Sequence, residues 1–250
     1  MTTPSDRALE VARLEARLLM GDGARVTVLT GSHARGDAHP ESDLDIRGVG
    51  EERPKALHRR DEFLVSTSLM TRQATDDAFR DPGEVGEFVP GWRDAIVLFD
   101  PDGVGKALKQ RAHDWDWAQA DSRERWIADQ ITSQAEEIHT LIGNIDQDQL
   151  TGAAAIRSQI VAGLAKLLSV HRQILYGSEN ELWDLVGRDM GDGFAALQAT
   201  ALGVRSAPLE EACKATFALF ELASEETWPS LDERQRAVVG HARELCSERS

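Results

Sequence analysis

The sequence predicts an α/β protein of the α+β type, in which a short mixed sheet precedes a bundle of antiparallel helices. Two observations lead to this prediction. Four short runs rich in β-branched and other apolar residues, bounded by glycine, proline and aspartate, lie before residue 101 and are typical of strands. From about residue 122 the apolar residues follow helical spacing instead. We therefore expect two domains, residues 1–120 and residues 121–250.

The first half is expected to begin with a helix that Thr3 caps and that ends near Gly21. The predicted strands are RVTVLTG, SDLDIRGV, EFLVSTSLMT and DAIVLFDPDG. Between the third and fourth strands we expect a short helix near 75–80 and a loop rich in glycine and proline over 81–91. In the second half, helices are predicted at 123–143, 148–176, 189–203, 208–227 and 231–247.

Composition narrows the classes of function. With 28 Lys and Arg against 43 Asp and Glu, the formal charge is −15, and no basic run offers a nucleic-acid backbone a binding surface. No window approaches the roughly 20 apolar residues that span a bilayer, and no secretory signal is expected. The two distant cysteines are typical of a reducing compartment. We expect a cytoplasmic protein without nucleic-acid or membrane partners, and association into a homodimer stays open.

The stretch 29–49, LTGSHARGDAHPESDLDIRGV, combines acids with a glycine–serine pair. Side chains alternate between the two faces of a strand, so Asp43 and Asp45 are expected to point the same way. Two like charges at such short range favour a bound cation that prefers oxygen ligands, such as Mg²⁺. Upstream, Gly31 and Ser32 end a strand and open a short helix. Backbone N–H groups at such a turn can hold a phosphate, and glycine allows a ligand to approach closely.

This stretch resembles the G-S-x-x-R-G…S-D-x-D signature of the DNA polymerase β-like nucleotidyltransferase superfamily. The architecture is similar to the small-molecule branch of that superfamily, the aminoglycoside adenylyltransferases. The resemblance implies a nucleotidyltransferase fold in which Gly31 and Ser32 bind the nucleotide phosphates and Asp43 and Asp45 bind Mg²⁺. The implied reaction moves a nucleoside monophosphate, with AMP from ATP as the expected case, to a hydroxyl of a small, aminoglycoside-like molecule.

The same resemblance gives Arg35 and Ser42 a supporting role, either on the phosphates or in the turn. The sequence departs from the superfamily pattern in the third predicted strand, which lacks the third carboxylate expected there. Three interpretations stay open. Glu62 reaches in as a displaced ligand; Ser66 or Ser68 faces the metal and an acid from elsewhere acts as the base; or catalysis has been lost and only nucleotide binding remains.

Acids outside the motif are candidates for the general base, because a serine replaces a carboxylate poorly in that role. We assign Glu87 to the catalytic set together with Asp43 and Asp45. The alternative functions are a catalytically degenerate nucleotide-binding or regulatory module, as in antitoxin-like members of the superfamily, and nucleotidylation of a protein. The other candidate bases are Glu84, Glu136 and Glu137.

A second stretch, YGSENELWDLVG at 176–187, mixes aromatic and acidic residues. Tyr176, Trp183 and the acids between and after them could line a pocket for the acceptor. Alternatively, the stretch is an ordinary turn between two helices.

Overall fold

The computed structural model describes residues 5–249, which divide between Asp121 and Ser122 into two compact units. The first unit contains a five-stranded sheet with helices, and the second is helical. This arrangement confirms the predicted fold class, a mixed sheet near the N-terminus followed by a helical region.

The sheet of the first unit has the strand order β3-β4-β2-β1-β5. The β2–β4 pair is parallel and the other neighbouring pairs are antiparallel, so the sheet is mixed. The elements in chain order are α1 (Asp6–Gly21), β1 (Ala24–Thr30), α2 (Gly31–Arg35), β2 (Leu44–Gly50), β3 (Arg53–Arg60), β4 (Phe63–Met70), α3 (Arg72–Ala78), α4 (Pro82–Asp94), β5 (Ile96–Phe99) and α5 (Val104–Asp114).

Helix α1 covers one face of this sheet. The Ser5 hydroxyl caps the helix by accepting a hydrogen bond from the Ala8 N–H at 3.1 Å. The expected cap, Thr3, lies outside the described residues. The apolar stripe of α1 packs into one buried cluster with residues of three strands, namely Leu29, Leu44, Ile46, Val65 and Leu69.

The loop predicted over 81–91 is wrong, because helix α4 occupies that stretch. The Asp81 carboxylate caps the helix by accepting from the Gly83 N–H at 2.7 Å. Pro82 lies in the first turn, where the missing N–H costs no hydrogen bond. Although this stretch is rich in glycine and proline, its buried apolar residues follow helical spacing. They are Val85, Phe88, Val89 and Trp92.

Strand β3 is not predicted by the sequence pattern, because RPKALHRR has no alternating apolar residues. Among residues 5–249 it is an edge strand that pairs with β4 alone, and most of its side chains are exposed. On the α1 side of the sheet, Arg60 Nε donates to Glu15 Oε1 at 2.5 Å, and His58 Nε2 lies 3.1 Å from the same oxygen. Glu15 is buried in α1. The contacts of Arg60 and His58 with a buried carboxylate therefore connect β3 to α1.

The second unit is built around α7, which packs against α6, α8, α9 and α10. The residues at 176–187 are not an ordinary turn, since most of them belong to α8. The helix predicted over 189–203 corresponds to α9, which begins three residues later. The elements are α6 (Arg123–Asp146), α7 (Leu150–His171), α8 (Glu179–Met190), α9 (Asp192–Ala201), α10 (Leu209–Thr227) and α11 (Glu233–Ser247).

By length and composition alone, α7 is the one described helix that could cross a membrane, with a mean hydropathy of 1.3 over its most apolar window. Half of that window is buried inside the structure. The central helix of a helical domain has the same composition, because its neighbours cover it on several sides. The position of α7 among four other helices corresponds to that case.

Candidate functional site

The corner between β1 and α2 brings Gly31 against Asp45. Thr30 ends β1 and pairs with Asp45 across the antiparallel β1–β2 ladder. Gly31 follows with a φ of 70°, a left-handed conformation that glycine adopts without steric cost. A Cβ at Gly31 would lie 2.6 Å from Asp45 Oδ2. The Asp45 carboxylate therefore lies directly beside the bare backbone at the start of α2.

Asp45 lies at the start of β2, on the sheet face opposite α1, and Asp43 directly precedes the strand. Leu44 and Ile46 are fully buried in the α1 cluster, whereas Asp45 is half-buried and Asp43, just before the strand, is also half-buried. Within residues 5–249, no group of three or more His, Cys, Asp or Glu side chains is placed to hold a metal ion. Among the described residues, the candidate cation ligands here are therefore two carboxylates, those of Asp43 and Asp45.

The strand beside β2 carries a serine where the superfamily pattern has an acid. The parallel register pairs Asp45 with Ser66, which is buried. Glu62 precedes Ser66 by four residues, about 13 Å along an extended strand, and its carboxylate lies 4.0 Å from Arg7 Nε of α1. Of the three interpretations left open by the sequence, the register argues against Glu62 as a displaced ligand of a cation at Asp45.

Helix α4 brings Glu87 to the face that carries Asp45. Arg47 lies two residues beyond Asp45 on β2, so its side chain points to the same face, and its Nη2 lies 3.8 Å from Glu87 Oε1. The Glu87 side chain is 42% exposed, so this ion pair is solvent-screened and contributes little stability. The sequence analysis did not identify Arg47 as a site residue. Its spacing of two residues from Asp45 could have predicted that it lies on the same face of the strand.

Arg35 and Ser42 make local contacts around the turn that joins α2 to β2. Arg35 Nε donates to Asp37 Oδ2 at 3.2 Å. The Ser42 hydroxyl accepts from the His39 N–H at 3.0 Å, while the Ser42 N–H donates to the His39 carbonyl at 2.9 Å. Ser32, in contrast, is half-buried in the first turn of α2, and its hydroxyl has no hydrogen-bond partner among residues 5–249.

The other candidate bases are placed on helices of both units. Glu84 is exposed in the first turn of α4, one turn before Glu87. Glu136 and Glu137 lie on α6, in the second unit. Of the acids considered as the base, Glu87 is the one whose contact with β2 is seen in the described structure.

Two comparisons with known proteins found matches to this chain. Residues 20–112 match the family model of the nucleotidyltransferase domain, a range that contains the whole motif and all five strands. A nucleotidyltransferase-like protein from Exiguobacterium sibiricum 255-15 has a similar fold, with a TM-score of 0.55 over 87% of this chain and 76% of that chain. At 12% sequence identity, this likeness concerns the fold alone. No curated protein matches the chain in sequence. The first unit is therefore similar, over residues 20–112, to nucleotidyltransferase domains.

Proposed function

We propose that the protein transfers a nucleoside monophosphate from a nucleoside triphosphate, with ATP as the donor, to a hydroxyl group of a small molecule. The observation that supports this most directly is the contact between the Asp45 carboxylate and the bare backbone of Gly31. A carboxylate that could bind a cation therefore lies beside the backbone at the start of α2. The match of residues 20–112 to the nucleotidyltransferase family model supports the reaction class.

The residues at this corner are chemically suited to a divalent cation and a triphosphate. Asp43 and Asp45 offer carboxylate oxygens, the ligands that Mg²⁺ prefers, and would hold such an ion. The chemistry it supplies when bound is neutralisation of charge on the phosphates. The absence of a side chain at Gly31 leaves room for the Asp45 carboxylate. The Ser32 hydroxyl, which has no hydrogen-bond partner among residues 5–249, can donate a hydrogen bond to a phosphate oxygen.

Glu87 is the proposed general base. In the reaction, the acceptor oxygen forms a bond to the α-phosphorus, the bond from that phosphorus to the bridging oxygen breaks, and pyrophosphate leaves. Glu87 takes the proton from the acceptor hydroxyl. Its partly exposed carboxylate, held near β2 by Arg47, can reach a hydroxyl placed on the same sheet face as Asp45.

The proposal is tested by incubating the protein with labelled ATP, Mg²⁺ and a panel of hydroxyl-bearing small molecules that includes aminoglycosides. We expect one member of the panel to gain AMP while pyrophosphate is released. Label recovered in added protein instead would identify a protein acceptor. Tight ATP binding without transfer to any acceptor would count against the enzyme.

One observation favours a second candidate, a nucleotide-binding module without catalysis. Ser66 stands beside Asp45, and a serine hydroxyl neither carries the charge nor has the basicity of a carboxylate. Such a module would bind ATP at the same corner and release no pyrophosphate. Binding and transfer measured on the same preparation therefore separate the two candidates.

Glu87→Gln should lower kcat about 100-fold, the usual contribution of a positioned general base. The affinity for ATP should stay unchanged, because Glu87 contacts Arg47 rather than the glycine corner. The matched control is Glu84→Gln, one turn earlier on the same helix, which should leave kcat unchanged. Wild-type kcat in Glu87→Gln would place the base elsewhere.

Gly31→Ala should weaken binding of Mg·ATP at least about 10-fold, since the new Cβ would push the Asp45 carboxylate away. The left-handed backbone adds roughly 1–2 kcal/mol of strain. Gly103→Ala separates the two effects, because Gly103 also has a left-handed φ of 73° but its Cβ would meet nothing within 4 Å. Isothermal titration calorimetry gives the affinities. Equal losses in both variants would mean that strain alone is responsible.

A further inference from the structure

We propose that the second unit binds a small organic amine with an apolar body, in a cleft between α8 and α9. The cleft has a volume of about 610 Å³, within the range of small-molecule sites. Its lining comes from both helices and from the residues that follow α9. Binding here requires no nucleotidyl transfer, so the inference goes beyond the proposed function and is tested separately from it.

Part of the lining is apolar and open to solvent. Trp183 of α8 and Leu202 and Val204 beyond α9 line the cleft, and Val204 is 81% exposed. Gly187 of α8 packs against α9, since a Cβ there would lie 3.2 Å from Gln198 Oε1 and 3.4 Å from the Ala195 Cβ. An apolar group in the cleft would cover Trp183 and Val204 and remove their surface from water, which is favourable.

A buried amide lines the same cleft. Gln198 is only 6% exposed, and its Nε2 donates to the Trp183 main-chain carbonyl at 3.3 Å. Its Oε1 accepts no hydrogen bond from residues 5–249. An acceptor at the wall of a cleft can take a hydrogen bond from the N–H group of a ligand.

The charged groups of the lining favour a cation. Asp184 and Asp192 are exposed, and neither has an ion-pair partner within the described part of the chain. Arg188 also lines the cleft, and its Nε donates to the Asp184 main-chain carbonyl at 3.1 Å. Two carboxylates against one guanidinium attract an ammonium group and repel a carboxylate. All these acceptors take N–H donors, which a primary amine supplies and a quaternary ammonium lacks.

The test uses 2-phenylethylamine and tryptamine as probes, titrated into the full chain at low ionic strength and followed by calorimetry. We expect saturable binding of at least one probe, with a shift of the Trp183 indole N–H signal in NMR spectra. Phenylacetate, of opposite charge, should not bind, and the trimethylammonium analogue of the bound probe should bind about 10-fold more weakly. Failure of both amines to saturate, or equal binding of phenylacetate, would overturn the proposal.

Asp184→Asn should weaken binding of the amine about 10-fold, because one charged hydrogen-bond acceptor is lost. Trp183→Phe should weaken it a few-fold through lost contact area. The matched control is Glu211→Gln, which removes the same charge from an exposed acid on α10 outside the cleft. If Glu211→Gln weakens binding as much as Asp184→Asn, the attraction comes from the net charge of the protein, and the site is wrong.

Discussion

Asp45→Asn should reduce nucleotidyl transfer about 100- to 1,000-fold, the range seen when one group that stabilises transition-state charge is removed. Asparagine keeps the shape of the side chain and removes the negative charge beside Gly31. Because the pairing of Asp45 with Thr30 in the sheet is made by the backbone, the fold should survive. The measurement is pyrophosphate release at saturating Mg·ATP and acceptor, with the affinity for Mg·ATP measured independently of any acceptor.

The matched control is Asp102→Asn. Asp102 pairs with Arg25 at 3.1 Å, near the start of β1, whereas Asp45 pairs with the last residue of that strand. Both partners are exposed, so the control should lose less than about 1 kcal/mol of stability and keep its activity. A folded Asp45→Asn variant that still binds Mg·ATP and transfers at the wild-type rate would end the role given to this carboxylate.

Arg60→Met should destabilise the first unit by about 3 kcal/mol. The substitution leaves the Glu15 carboxylate, whose side chain is 4% exposed, with His58 as its remaining partner in the ion pairs described above. Burying a charge with too few partners is among the most destabilising changes in proteins. The free energy of unfolding is measured by equilibrium urea denaturation, with the transition of the first unit followed separately.

Two further variants identify the buried charge as the cause. The double variant Glu15→Leu with Arg60→Met should recover most of the loss, since no uncompensated charge remains. Arg53→Met on the same strand should cost less than about 1 kcal/mol, because Arg53 and its partner Asp22 are both exposed. A double variant no more stable than Arg60→Met alone would show that packing of the arginine stem, rather than charge, is what is lost.

The local geometry of the motif could be predicted from the sequence, because it depends on short-range rules. Strand alternation puts Leu44 in the core and Asp45 on the other face, and the glycine after β1 accounts for the left-handed corner. Gly31 and Asp45 come together because β1 and β2, which are close in sequence, pair as antiparallel strands.

The long-range parts of the site could not be predicted in this way. The neighbour of Asp45 is Ser66 because β2 pairs in parallel with β4, and the chain between them forms β3, whose sequence has no apolar pattern. Glu87 lies on α4, and the glycines and prolines of that helix make its sequence resemble a loop. In both cases tertiary contacts decide the structure against weak local preference.

Strand β3 also determines where the sheet stops growing. In the described part of the chain it is an outermost strand, so the backbone groups on its outer side have no neighbouring strand there. Such a row of unpaired groups is a template for pairing with another chain. Pro54 cannot donate a hydrogen bond to an added strand, and a second copy of β3 would bring like charges together. The positive charges of β3 therefore oppose the addition of a strand from another molecule at this edge. They come from Arg53, Lys55, Arg59 and Arg60.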